Sequence, residues 1–235
     1  MYILVNSINL YEKKICSQNG EDGIIEELFR RIGTTNRLFV EFGVEEGHEC
    51  NCAALALFKQ WTGLMIEGNE ENYKKLATVY STYPRIKTLK HFITQENIIP
   101  IFKSINVPLQ FDLLSIDIDG NDYWVWQALH QYKPRLVVIE YNAHFPPPQK
   151  RVVQYNPHLS WNGTSYFGAS LTSLYELGKK LGYALIGTDK MGVNAFFLRK
   201  DQLIRSGFPA LTPEAAYHSL AYGPYASFDG PYLEI

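Results

Sequence analysis

The chain has 235 residues, of which 46% are hydrophobic and 14% aromatic, enough for one sizeable core in a single domain spanning residues 1–235. Its 22 basic and 24 acidic residues are spread along the chain and leave a net charge of −2, so there is no basic stripe to follow a phosphate backbone and no nucleic-acid partner is expected. No apolar run reaches the roughly 18 residues that span a bilayer, and residues 1–15 lack a charged-then-apolar leader pattern; a cytoplasmic protein with no membrane partner is expected.

Short β-branched runs alternate with amphipathic stretches along the chain, the pattern of βαβ units. In order, the periodicity predicts a helix at 22–31, a strand at 38–42, a helix at 51–61, a strand at 64–66, a helix at 70–80 and a strand at 86–89. A helix at 97–105, a strand at 113–116, a helix at 123–131, a strand at 136–139 and a helix at 171–181 follow. Residues 183–186 and 193–198 then read as strands with no room between them for a crossover helix, so they must form an antiparallel hairpin. The predicted fold is α/β: a Rossmann-like open sheet of the class I methyltransferase type, mostly parallel, with a C-terminal antiparallel hairpin. Two segments exceed this frame. Residues 145–170 carry Pro146-Pro147-Pro148 and several aromatics and are expected to face the substrate, while the aromatic tail 208–235 would cover the site or an interface in a homo-oligomer. Cys16, Cys50 and Cys52 lack the partners of a zinc site and read as buried or idle thiols. Asn162-Gly163-Thr164 fits a glycosylation sequon, which is incidental in a cytoplasmic chain.

Three constellations carry chemistry. Glu41-Phe42-Gly43-Val44-Glu45-Glu46-Gly47 runs a strand into a loop with glycines four apart, where backbone can approach a ligand closely. Glu67 ends the next strand twenty residues after Gly47, the position of a ribose-binding carboxylate in dinucleotide and adenosylmethionine sites. A pyrophosphate binder would need G-x-G-x-x-G, but the later glycine places hold Glu45 and His48; the acidic loop suits the cationic S-adenosylmethionine better than NAD. Third, Asp117, Asp119 and Asp122 crowd the end of the fourth strand, and Glu140, Asn142 and His144 close the fifth. Asp117, Glu140 and Asn142, with Asp119 as a substitute, form a candidate oxygen-ligand set for magnesium, manganese or calcium. Asp122 reads better as a capping or turn residue. Asp117, Glu140 and His144 are the candidate catalytic residues, with His91 a weaker base. Phe92 is a plausible apolar neighbour for adenine beyond the third strand, and Trp161, Tyr166 and Phe167 would shape the acceptor pocket.

Four stretches in residues 17–201 resemble the FkbM-like adenosylmethionine-dependent methyltransferases: Ser17-Gln18-Asn19-Gly20-Glu21-Asp22-Gly23, Val40-Glu41-Phe42-Gly43 with Gly47, Gly63-Leu64-Met65-Ile66-Glu67-Gly68, and Leu114-Ser115-Ile116-Asp117-Ile118-Asp119-Gly120. The first is the most specific; the loop departs from the usual pattern in lacking a middle glycine. From residues alone, Ser17 or Asn19 would be helix caps. The resemblance implies that Gln18, Asn19 and Asp22 contact the cofactor; the residues themselves point to Glu41, Gly43, Gly47, Glu67, Phe92 and Asp117 as its other contacts. The resemblance also implies O-methylation of a hydroxyl on a sugar, glycan or natural product, with N-methylation of a peptide amide as the alternative. An NAD-dependent oxidoreductase and a non-catalytic binding module are the rival classes.

Overall fold

The computed structural model describes residues 7–227 and 230–235, so part of the leader reading and two residues of the expected tail lie outside the described residues. After a 3-10 turn at Ile8–Tyr11 come α1 (Glu21–Ile32), β1 (Leu38–Phe42), α2 (Ala53–Phe58), β2 (Thr62–Glu67), α3 (Glu70–Val79), β3 (Ile86–Lys90) and α4 (Ile98–Ser104). They are followed by β4 (Leu113–Ile116), α5 (Asp122–Ala128), β5 (Leu136–Glu140), β6 (Val152–Val153), α6 (Leu171–Leu181), β7 (Tyr183–Thr188) and β8 (Asn194–Arg199), then α7 (Leu203–Ser206), α8 (Pro213–Ala216) and β9 (Tyr232–Leu233).

Seven strands form one sheet in the order β3-β2-β1-β4-β5-β8-β7. The first five are parallel, and β8 runs antiparallel to both β5 and β7, as the missing crossover requires. The chain reverses its direction of progress between β1 and β4, which opens a crevice at their carboxyl ends.

Both faces of the sheet are buried, and alternate residues serve different cores. Val40 and Phe42 pack with Leu114, Ile116, Val137 and Ile139 beneath α4, α5 and α6, whereas Phe39, Met65, Leu113 and Val138 pack with Ile24, Leu28 and Ile32 of α1. Each such side chain removed from water stabilises the fold by about 1.5–3 kcal/mol. This two-sided burial is why the strands read as continuous apolar runs rather than alternating ones.

Boundaries shift where a side chain or backbone torsion intervenes. The helix predicted at 51–61 shortens to Ala53–Phe58 because Glu41 takes the Asn51 and Cys52 N–H groups and Gln60 adopts φ +56°, turning the chain into β2 by Thr62. The insert and tail fold onto each other rather than separately. β6 pairs antiparallel with β9, and the Ser165 N–H donates to the Ala226 carbonyl at 2.9 Å.

At the sheet's other end Asp112 gathers the starts of three strands. It accepts the N–H groups of Thr35, Asn36 and Arg37, the Thr35 hydroxyl, and an Arg135 guanidinium N–H at 3.0 Å. Arg135 also donates to the carbonyls of Ile32 and Gly33 and to Gln202. Asp112→Ala strands a buried guanidinium and three amides, so urea denaturation should show a loss of about 3–5 kcal/mol with the denaturant slope unchanged.

Candidate active site

The crevice is built on an unusually close backbone contact. Gly43 leaves β1 at φ +70°, and a Cβ there would stand 1.5 Å from the Asp117 carbonyl oxygen. Glycine alone permits the ends of β1 and β4 to meet this way. The next place in the loop lacks a glycine, yet Glu45 itself adopts φ +48°. Its N–H donates to Glu67 Oε2 at 2.8 Å, a charge-assisted bond that offsets a backbone cost of about 1–2 kcal/mol.

Glu67, buried at the end of β2, also accepts the Asn69 N–H on Oε1 at 2.7 Å. Each oxygen keeps a lone pair after one bond, so the carboxylate is held in place and can still receive two hydroxyls. It lines a cavity of about 270 Å³ with Gly68, Asn69, His91 and the exposed ring of Phe92. A second cavity of about 530 Å³ lies between Gln18, Glu140, Phe167, the hairpin turn at Gly192 and the tail's Tyr222 and Tyr225. The two share Gly43, Glu45, Asp117, Asp119 and Trp161 as common walls. The site is therefore one cleft with two chambers, meeting over the ends of β1 and β4.

The chambers meet at a group of acids. Continuing the Ile116–Ile139 register by one residue sets Asp117 beside Glu140, and Asp119 returns to them through a left-handed turn at φ +53°. Oxygens of Asp117, Asp119 and Glu140 lie within 4.8 Å of one another. Among the described residues no donor reaches these carboxylates, and Glu140 Oε2 is buried without a partner. Burial, and then the neighbouring acids, hold Asp117 and Glu140 well above the usual carboxylate range; Asp119, the most exposed of the three, is pushed up to about 6 by partial desolvation and then by Asp122, Glu45 and Glu67. Asp122 differs: it accepts the N–H groups of Ile118 and Gly120, both at 2.9 Å, the turn role expected of it.

Several expected contacts stand elsewhere. Glu41 lines neither chamber; its carboxylate sits on the α2 side of the sheet, bonded to Asn51 and Cys52, because residues alternate faces along β1. Gly47 makes room for α3 rather than for a ligand, since a Cβ would stand 2.5 Å from Leu76 and 2.8 Å from Tyr80. Asp22 holds the N–H groups of Ile15, Cys16 and Ser17, and Asn19 bonds Glu21 and the Tyr222 hydroxyl, so of this stretch Gln18 is the residue that lines the cleft. Asn142 is not among the converging oxygens: its amide donates to the carbonyls of Ser165 and Phe167 and its oxygen faces His144, which anchors the insert. Asp119 takes its place.

His144 lines neither chamber; it packs edge-on to Phe167 and tilted at 50° against Tyr225. Tyr166 turns away to Tyr232, while Trp161 and Phe167 do face the cleft. The aromatic tail does cover the cleft, one of the two places expected for it, through Tyr222 and Tyr225; which of its residues do so, and the part played by the hairpin turn at Gly192, are not legible from spacing, since no rule connects them to β4.

The acid group makes a prediction about stability. Because the folded pKa of Asp119 lies above that of an unfolded aspartate, its contribution is fully present below about pH 4 and lost as pH rises through about 6. Asn tolerates the left-handed conformation, so Asp119→Asn should raise the melting temperature at pH 7.5 and leave it unchanged at pH 4. Thermal melts monitored by circular dichroism at the two pH values check this.

No protein family and no curated protein matches the sequence. Solved structures do share its architecture. A Staphylococcus aureus protein provisionally described as a caffeoyl-CoA O-methyltransferase superposes with a TM-score of 0.50 at 15% identity, covering 81% of this chain and 87% of that one. The N-terminal domain of EvdMO1, solved with SAH bound, gives 0.49 at 13% identity over 77% and 80% of the two chains. The CMeT domain of the citrinin polyketide synthase gives 0.49 at 11% over 76% and 51%. At these identities the likeness is one of fold, and with the observed strand order it establishes that the chain has the Rossmann-like fold of class I methyltransferases.

Proposed function

We propose that the chain is an S-adenosylmethionine-dependent methyltransferase that methylates a hydroxyl of a neutral sugar, glycan or natural product. The observation that carries this reading is the pair of chambers meeting at Gly43 and Asp117, with Glu67 free to bind two hydroxyls in the smaller one. Ribose suits Glu67, and the adenine ring suits the exposed face of Phe92. A pyrophosphate would meet Glu45 and Asp119 in place of amides, which disfavours a dinucleotide. When bound, adenosylmethionine supplies an electrophilic methyl group on a sulfonium.

The larger chamber suits a neutral acceptor. Its walls combine Trp161, Phe167, Tyr222 and Tyr225 with five carboxylates, and no Lys, Arg or His is among them. Aromatic faces and acidic acceptors match the ring and hydroxyls of a sugar, whereas an anionic acceptor would be repelled. The resemblance to FkbM-like enzymes supports the same acceptor class. Asp117 and Glu140 flank the attacking hydroxyl: whichever of the two is ionised accepts its hydrogen bond and takes its single proton as the methyl passes from sulfur to oxygen, and the burial that raises its proton affinity makes it a stronger base than a free carboxylate.

The same three carboxylates fit a magnesium or manganese ion, because their oxygens converge without donors. When bound, such an ion supplies positive charge that offsets their repulsion and acidifies a nearby hydroxyl. Asp117, Asp119 and Glu140 would hold it.

Calorimetry should show binding of adenosylhomocysteine and none of NAD; the reverse result overturns the reading. Glu67→Ala should weaken adenosylhomocysteine about 10- to 100-fold, the worth of charge-assisted hydrogen bonds to the ribose. Incubation with labelled adenosylmethionine and a panel of glycans and peptides, read by mass spectrometry, should place the label on a sugar hydroxyl. Label on a peptide amide would replace the acceptor class. Activity should fall on chelation and return with magnesium or manganese, and indifference to both would remove the ion.

A further inference from the structure

Trp161 is the one aromatic residue among the described residues that lines both chambers; Phe92 borders the smaller, and Tyr141, Phe167, Tyr222 and Tyr225 the larger. The other shared walls, Gly43, Glu45, Asp117 and Asp119, come from the loops at the sheet edge, so the indole stands apart from them on the insert. Its orientation is held. The Nε1–H donates to the Thr164 carbonyl at 2.6 Å, and the Tyr225 ring meets the indole at 5.4 Å and 85°. The tail pins the same segment through the Thr164–Ala226 bridge. Trp161 is 39% exposed and borders both chambers, so it is accessible to a ligand there.

A group passing from one chamber to the other must cross the boundary that these walls share. In the proposed reaction that group is the methyl, and the atom at the boundary before transfer is a sulfonium; afterwards it is a neutral thioether. An indole face attracts a cation within about 6 Å and has no such attraction for a thioether. We infer that Trp161 is a specificity-determining residue that contacts the sulfonium end of the methyl donor and favours the charged donor over the neutral product, with Tyr225 as its positioning residue. The inference rests on the methyl-donor reading. It gives the insert a role in donor selection and product release beyond shaping the acceptor pocket.

The test uses two stable probes and needs no knowledge of the acceptor. Sinefungin carries a protonated amine where the donor has its sulfonium, and adenosylhomocysteine carries the neutral thioether. Calorimetric Kd values are measured for both on the wild type and on Trp161→Leu, Trp161→Phe and Tyr225→Ala, with circular dichroism to confirm folding. The wild type should prefer sinefungin, and Trp161→Leu should shrink that preference by about 3- to 30-fold through weaker sinefungin binding. Trp161→Phe should recover part of the preference, and Tyr225→Ala should lose part of it. A preference unchanged in Trp161→Leu, or equal weakening of both ligands, overturns the inference while leaving the methyl-donor reading intact. Failure of both ligands to bind the wild type overturns the methyl-donor reading and this inference together.

Discussion

The contact between Gly43 and the Asp117 carbonyl sets the geometry of the whole cleft. With 1.5 Å between that oxygen and any Cβ at position 43, the loops leaving β1 and β4 can adopt this arrangement only with glycine there. Everything that borders both chambers hangs from these two loops or lies across them. The Gly43 N–H donates to the Ile66 carbonyl at 3.1 Å, so the loop is also tied to β2, and Glu67 can then reach the Glu45 amide. One steric constraint thus places the Glu67 carboxylate, the boundary between chambers and the acid group in register.

The acids of this fold divide into two kinds by their partners. Asp22, Glu41, Asp112, Asp122 and Asp189 accept backbone N–H groups: Asp112 joins the starts of three strands, Glu41 ties β1 to the start of α2, and Asp22, Asp122 and Asp189 shape local turns. Oriented amides oppose, without cancelling, the rise in proton affinity that burial imposes on Glu41, Asp122 and Asp189. Asp117, Asp119 and Glu140 have no such donors, and repulsion from neighbouring acids adds to burial in raising their proton affinity. A protein that concentrates uncompensated carboxylates at the junction of two cavities has a surface disposed toward protons and cations. Glu67 stands between the two kinds, immobilised by two amides and still able to accept more.

The insert and tail complete what the sheet begins. Parallel strands can present side chains at their carboxyl ends, but they cannot roof the space above them. Here that roof comes from two segments distant in sequence that pair as β6 and β9 and bring Trp161, Phe167, Tyr222 and Tyr225 over the acids. Asn142 is central to this assembly, since its amide holds the carbonyls of Ser165 and Phe167 against the end of β5. A residue whose chemistry suits a metal ligand is instead a bracket for the aromatic wall.

The alternation of apolar runs and amphipathic stretches by itself determined the parallel sheet, and the short Gly187–Gly192 span the closing hairpin, because local periodicity and connection length depend on neighbours in the chain. It also placed Gly43, Glu67, Asp117 and Glu140 at strand ends, where parallel topology turns sequence position into position in space. What a carboxylate or amide does there was decided by tertiary structure alone. Glu41, one residue before the end of β1, is taken up by two amides on the α2 side, while Glu67, the last residue of β2, faces the cleft. Asn142 left its expected place and Asp119, the substitute, stands with the converging acids for a similar reason: one found the carbonyls of an insert more than twenty residues away, the other turned back through a left-handed conformation. Hydrogen-bond partners contributed from across the fold have no periodicity to announce them, so the strands were legible while the side-chain assignments needed the folded chain.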